Sequence, residues 1–161
     1  MGTILIIELR ESHKKVKNIW FGMALGEKLF EETANITGFK VTKVHPVEGV
    51  TMEISFTTDL KGIGKFPSGK NMGSGIGTQY PHGVAEGSYQ GTVMTAEGEQ
   101  FIWWAHEKSK VVEGGRRRGL VMVSAFTNSE KLSWMNNQIW ALELEMDPAA
   151  QKFRTTAYEW K

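Results

Sequence analysis

The sequence predicts an all-β fold: an antiparallel β-barrel of about eight strands, with a short N-terminal strand and helix packed outside it. Three observations carry this. Apolar and polar side chains alternate with period two from about residue 27 onward. Eighteen glycines stand against four prolines, a balance that favours turns and bent strands over disorder when six tryptophans, eight phenylalanines and three tyrosines need burial. Recognisable hairpin turns punctuate the second half of the chain. The 161 residues suit one domain spanning 1–161, with 1–25 as an extension packed on it.

The first elements are the least regular. Residues 3–9 read as a strand, and Val16, Ile19, Trp20 and Met23 recur at helical spacing behind Ser12 as a cap. Lys14, Lys15 and Lys17 read as that helix's solvated face rather than a membrane-binding one. The apolar run Ile4–Ile7 meets Glu8 and Arg10 too soon for a signal peptide or membrane span, so a cytoplasmic protein with no membrane partner is expected. Ile6 occupies the position where a myristoylation signal needs serine or threonine, and the Asn35-Ile36-Thr37 sequon is expected to be silent.

Further along, Val50, Met52, Ile54 and Phe56 alternate with Thr51, Glu53, Ser55 and Thr57 as in a half-buried strand. The glycine-rich stretch 61–83 reads as a long loop or irregular edge. Glu97-Gly98 then joins 84–95 to 100–111, Gly114-Gly115 joins that strand to 117–126, and residues 147–150 join 138–146 to 151–160. Ser129–Asn137 reads as one or two helical turns. In the last hairpin, a four-residue loop places Glu145 opposite Lys152 and Glu143 opposite Arg154 on one face. Leu144 then meets Phe153, and Leu142 meets Thr155, on the other.

Two-residue loops at Glu97-Gly98 and Gly114-Gly115 sort the central strands into two faces. One carries Glu86, Ser88, Gln90, Thr92, Phe101, Trp103, Ala105, Glu107, Leu120 and Met122; the other carries Tyr89, Gly91, Ile102, Trp104, His106, Val121 and Val123. Neither face is solvent-like, so the sheet needs cover on both sides: closure into a barrel on one, the N-terminal segment or a second subunit on the other. Trp104 opposite Gly91 would cover a glycine kink.

Motifs exclude more than they assign. Net charge is +1, from 19 basic and 18 acidic residues, and the arginine triplet Arg116-Arg117-Arg118 sits at a hairpin tip, so no nucleic-acid partner is expected. Without cysteine there is no disulfide framework or thiolate chemistry. Residues 64–71 approach a phosphate-binding loop, but Asn71 replaces the magnesium-binding hydroxyl and further glycines follow where a helix should begin. The four histidines are scattered. His82 and Glu86 on one strand would stand roughly 13 Å apart, so no metal and no cofactor are expected. No serine elbow is present.

The candidate ligand-binding residues are therefore Glu86, Gln90, Trp103 and Glu107, with Tyr89, Trp104 and His106 as the alternative face. A carboxylate against apolar neighbours could anchor a ligand or move a proton, and Tyr89 opposite His106 is the competing acid-base pair. The blander expectation for each is a rim glutamate paired with lysine and a satisfied half-buried histidine.

Gly26-Glu27-Lys28-Leu29, the run Glu86 to Gly91, Met94 to Glu99, Arg118-Gly119, Ser129 to Leu132 with Asn136, and Tyr158 to Lys161 together resemble a family of uncharacterised microbial proteins of about this size, over residues 26–161. More distantly the chain is similar to the small barrels grouped with allene oxide cyclase and related domains of unknown function. The resemblance implies a barrel and supplies no catalytic residue. Tyr89 alters the family's second glycine-rich motif, which would change pocket size if it faces inward. The expectation is a barrel that binds one small apolar or amphipathic molecule. The alternatives are a cyclase- or isomerase-type enzyme using Glu107 or His106, and a structural protein that self-associates through its outer apolar face. A void of roughly several hundred cubic ångströms lined by Trp103 and Glu107 would favour the first two.

Overall fold

The computed structural model describes residues 25–161. The expected strand at 3–9 and the helix that follows it lie outside the described residues. Eight antiparallel strands form a closed barrel: β1 (Leu25–His45), β2 (Gly49–Gly62), β3 (Gly69–Gln79), β4 (Val84–Thr95), β5 (Gln100–Val111), β6 (Arg117–Phe126), β7 (Ile139–Asp147) and β8 (Lys152–Trp160). Each strand pairs with its sequence neighbour, and β1 closes against β8 from Leu25↔Trp160 to Asn35↔Lys152. The turns at 46–48, 80–83, 112–116 and 148–151 therefore gather at one end, here the upper end. Segments 63–68, 96–99 and 127–138 gather at the lower.

Alternation sets the inner wall as the sequence predicts for β2: Ile54, Phe56 and Leu60 are buried while Glu53, Ser55 and Asp59 are exposed. The stretch 61–83, by contrast, is mostly not a loop. It contains β3, paired to β2 from Leu60↔Gly69 to Val50↔Gln79 and to β4 along its whole length. Its glycines point inward to make room for rings from other strands. A Cβ on Gly73 would stand 2.5 Å from Phe56 Cζ and 2.7 Å from Trp103 Cζ2, and one on Gly77 would meet the Tyr89 hydroxyl at 2.9 Å. Large side chains on β2, β4 and β5 thus fill the barrel because β3 offers none.

The two central hairpins are each slipped by one residue from the expected register. Thr95 N donates to Glu99 O (2.8 Å) and Gly98 N to Thr95 O (3.0 Å), which closes a three-residue loop in which only Gly98 has positive φ, +87°. A two-residue type I′ turn would force Glu97 into the same left-handed region, and the extra loop residue avoids that strain. At the next turn Val112 N donates to Arg116 O (2.8 Å), so the loop is Glu113-Gly114-Gly115. The observed pairs are Gly91↔Trp103, Gly87↔Glu107 and Glu107↔Val121. The slips cancel between β4 and β6 but turn β5 over, so the inner wall combines Tyr89, Gly91 and Val93 with Phe101, Trp103 and Glu107, and then with Val121 and Val123. Trp103, rather than Trp104, covers Gly91.

The last hairpin is displaced by two residues, pairing Glu145 with Arg154, Leu144 with Thr155 and Met146 with Phe153. An even slip preserves the faces, so the ionic exterior and apolar interior are as expected. The 3-10 helix Glu130–Asn137 falls where helical turns are expected. Its Leu132 and Met135, together with Phe66 from the 63–68 segment, are buried with the lower core. Phe66 packs edge-on against Trp140 (5.1 Å) and Phe101 (6.0 Å) and closes that end of the barrel.

Outside, the wall is divided by charge. β1, β2, β7 and β8 carry pairs such as Lys40–Glu53 (3.3 Å) and Arg154–Glu31 (3.4 Å). Across β3–β6, three successive outward rows contain no Asp, Glu, Lys or Arg: Met72-Thr92-Ile102-Phe126, Ser74-Gln90-Trp104-Ser124 and Ile76-Ser88-His106-Met122. Beyond these comes the charged pair Glu86–Lys108, 2.7 Å apart.

Candidate functional site

Inward side chains leave a cavity of about 80 Å3 beneath the upper mouth, lined by Phe56, Trp103, Tyr89, Phe153 and aliphatic neighbours such as Val123 and Leu142. It is well below the several hundred cubic ångströms expected, because the rings over the β3 glycines occupy most of the interior. A space of that size has room for a few ordered waters or for the hydrocarbon part of one small molecule.

The buried carboxyl on its wall is Glu32 on β1, 6% exposed. Oε2 accepts hydrogen bonds from Thr58 Oγ1 (2.7 Å) and Asn71 Nδ2 (3.0 Å), and Oε1 accepts one from Thr155 Oγ1 (3.0 Å). Asn71 Oδ1 in turn accepts from Trp103 Nε1 at 2.9 Å, which fixes both the asparagine and the indole plane. The network ties β1, β2, β3, β5 and β8 together through buried side chains. Among the described residues no lysine, arginine or histidine forms an ion pair with Glu32. A carboxylate has about four acceptor positions, and three are filled here.

A second polar group lies toward the mouth. Tyr89 on β4 and Glu107 on β5 both line the cavity, one diagonal step apart on adjacent strands of the inner wall. Burial first, and the Glu107 carboxylate second, push the Tyr89 phenol above its ordinary pKa, with Arg117 pulling weakly the other way. Tyr89 therefore stays a neutral donor at all ordinary pH values.

Of the sequence-derived candidates, Trp103 and Glu107 face the interior, as does Tyr89 from the alternative set. Glu86, Gln90, Trp104 and His106 are on the outer surface. There Lys108 holds the Glu86 carboxyl below its usual range, Gln90 pairs with Trp104, and His106 Nδ1 lies 3.1 Å from Ser88 Oγ. Tyr89 and His106 consequently point to opposite sides of the sheet. The turned-over β5 explains the mixed result, since a one-residue slip exchanges every side chain of a strand between faces. Glu32 and Asn71 have no place among the expected candidates. A signal for Glu32 existed: it occupies an apolar-phase position between Phe30 and Ala34 in the alternating run of β1. Asn71 was hidden in a segment read as a loop.

Within 25–161, no helix is long and apolar enough to cross a membrane, and no group of three or more His, Cys, Asp or Glu side chains is placed to hold a metal ion. No family model matches the chain, and no curated protein does at a significant level. Solved structures do. A protein of unknown function from Clostridium acetobutylicum superposes with a TM-score of 0.73 at 17% identity, covering 84% of this chain and 98% of its own. A β-barrel-like protein from Acinetobacter baumannii gives 0.72 at 15%, covering 84% and 94%. A protein described as an enzyme from Penicillium herquei gives 0.59 at 16%, covering 84% and 96%. At these identities the likeness establishes the barrel fold, shared with proteins of unknown function.

Proposed function

We propose that the barrel binds one small, mainly apolar molecule in its interior. The observation that carries this is the Glu32 network: a buried carboxyl with an acceptor position to spare, set in an aromatic wall beside a cavity. Burial of such a group without a cation lowers stability relative to an apolar side chain, so its presence points to a use. The test is ligand-observed NMR with four- to six-carbon alcohols and amides, alongside native mass spectrometry of the purified protein. Saturable binding that Ala105→Leu abolishes by filling the cavity supports the reading. Absence of both binding and a co-purifying molecule overturns it.

A catalytic version has one specific observation in its favour, that two carboxyls, Glu32 and Glu107, line the same cavity; a structural neighbour is also described as an enzyme. His106, on the outside, takes no part in this version. Turnover of an identified ligand that survives both Glu32→Gln and Glu107→Gln excludes it.

The uncharged outer face of β3–β6 supports self-association with a second copy. Met72, Ile76, Ile102, Trp104 and Phe126 on these rows are each between 40 and 53% exposed. At on the order of 100 Å2 per side chain they supply more than half of the roughly 800 Å2 that each partner contributes to a standard interface. A face without charge also meets its own copy without repulsion. Sedimentation equilibrium at micromolar concentration should show a dimer that Trp104→Glu dissociates; a wild-type monomer overturns this.

A further inference from the structure

The wall of the cavity carries ionisable acids of one sign and no base. Glu32 and Glu107 both line it, and among the described residues no lysine, arginine or histidine joins them there. Neither carboxyl forms an ion pair within 25–161. Arg117, whose charge reaches the Tyr89 phenol, lies outside the lining. The hydrogen-bond partners of Glu32 are all uncharged: the hydroxyls of Thr58 and Thr155 and the amide of Asn71. Because Trp103 Nε1 donates to Asn71 Oδ1, the asparagine turns its NH2 group to Glu32. The network is therefore assembled around an acceptor. Oε2 takes two of the three donors and Oε1 takes one, which leaves an acceptor position on Oε1 unfilled.

The aromatic part of the wall suits a cation as well. Phe56 stacks beside Trp103, with centroids 6.1 Å apart, and meets Phe153 edge-on at 5.0 Å; all three rings line the cavity. Aromatic faces attract an ammonium group and also accept hydrocarbon. A metal ion fits this wall poorly, since hard cations take six or more oxygen ligands and no group of three or more metal-binding side chains exists among the described residues. A primary ammonium fits better: its N–H groups match the open acceptor, and its hydrocarbon matches the rings and aliphatic neighbours.

On the reading that the barrel binds a small molecule in its interior, we propose that the ligand is a small primary amine, bound as its ammonium ion. The charged head donates to Glu32 within the field of Glu107, and the hydrocarbon lies against Phe56, Trp103 and Phe153. Small size follows from the cavity volume of about 80 Å3. Rejection of anions follows from two carboxyls on one wall, which repel a further negative charge. Binding gives the buried carboxylate a counter-ion that the described residues do not supply.

The test uses matched probes, butylammonium against 1-butanol and butyrate, and benzylammonium against benzyl alcohol. They are titrated near neutral pH into the full-length protein and followed by ligand-observed NMR and tryptophan fluorescence. Each ammonium should bind about tenfold or more tightly than its alcohol, with butyrate weakest. Glu32→Gln keeps an acceptor for Thr58 and Asn71 and should bring ammonium and alcohol within about twofold, with alcohol binding retained. Glu32→Asp keeps the charge but withdraws it by one methylene and should fall between; it also serves if Glu32→Gln fails to fold. Because the pair is enclosed, the preference should survive about 0.5 M salt, which would screen a cation held on the outer surface. Equal binding of ammonium and alcohol by the wild-type protein overturns the anchor and leaves the cavity reading standing. An ammonium preference that persists in Glu32→Gln, is undiminished in Glu32→Asp, or disappears in the added salt also overturns it. Binding of no probe overturns both readings.

Discussion

The inner wall owes its shape to glycines that give up their space to rings, and Gly73→Ala tests this directly. Gly73 has no positive φ, so alanine carries no backbone strain. In an open strand the change should stabilise by about 0.5–1 kcal/mol through lower chain entropy. Here the new methyl would lie 2.5 Å from Phe56 Cζ and 2.7 Å from Trp103 Cζ2, both on buried rings whose centroids are 6.1 Å apart. Overpacking of this kind costs about 1–3 kcal/mol, which outweighs the entropic gain and leaves a net loss near 1–2 kcal/mol. For a chain of this length that lowers Tm by about 3–6 °C. Gly38→Ala is the control: its Cβ would meet Ser55 Cβ at 3.4 Å, an ordinary contact, so it should be neutral or stabilising. Shortening the obstructing ring should restore what was lost, so Phe56→Leu/Gly73→Ala should be more stable than the sum of the single changes by about 1 kcal/mol. The assay is urea unfolding followed by circular dichroism. Equal stability of Gly73→Ala and Gly38→Ala, or strict additivity in the double variant, would refute the packing argument.

The other predictions concern the polar interior and the plug. Glu32→Gln keeps an acceptor for Thr58 and Asn71, and the Thr155 hydroxyl can turn to accept from the new amide, so thermal unfolding should show a change within about 1 kcal/mol; Glu32→Ala strands three buried partners and should cost about 2–4 kcal/mol. Equal losses would mean that the charge itself holds the barrel together. Because the Tyr89 pKa is raised in the folded state, the fold retains a proton that the unfolded chain releases, so its contribution is complete below about pH 10 and declines above it. Alkaline titration at the tyrosinate absorption band should leave one tyrosine unionised until unfolding, and Tyr89→Phe should flatten the alkaline loss of stability; normal ionisation of all three would contradict its burial. Phe66→Ala removes the ring between Trp140 and Phe101 and should cost about 3–5 kcal/mol in urea unfolding. A loss below about 1 kcal/mol would show that the lower end is closed without it.

Local chemistry carried much of the fold. Period-two alternation in β2, the helical turn at 130–137 and the ionic outer face of the last hairpin depend on near neighbours in the chain, and an even register error did them no harm. The class of fold and the presence of a partly apolar interior were legible on the same grounds. What tertiary structure alone decided was which side of β5 faces inward, and with it the separation of Trp103 and Glu107 from Trp104 and His106. One additional residue in the turn at Gly98 reverses a whole strand, and the choice between a two- and a three-residue turn depends on a few dihedral angles that composition does not report. The β3 glycines were misread for a related reason. A strand whose inward positions are mostly glycine shows no apolar alternation, and its place in the sheet becomes visible only when Phe56, Tyr89 and Trp103, distant along the chain, are seen lying over it. The assembly of Glu32, Asn71 and Thr155 likewise exists only once the barrel has closed, because residues 123 positions apart meet at hydrogen-bond distance only across the β1–β8 seam.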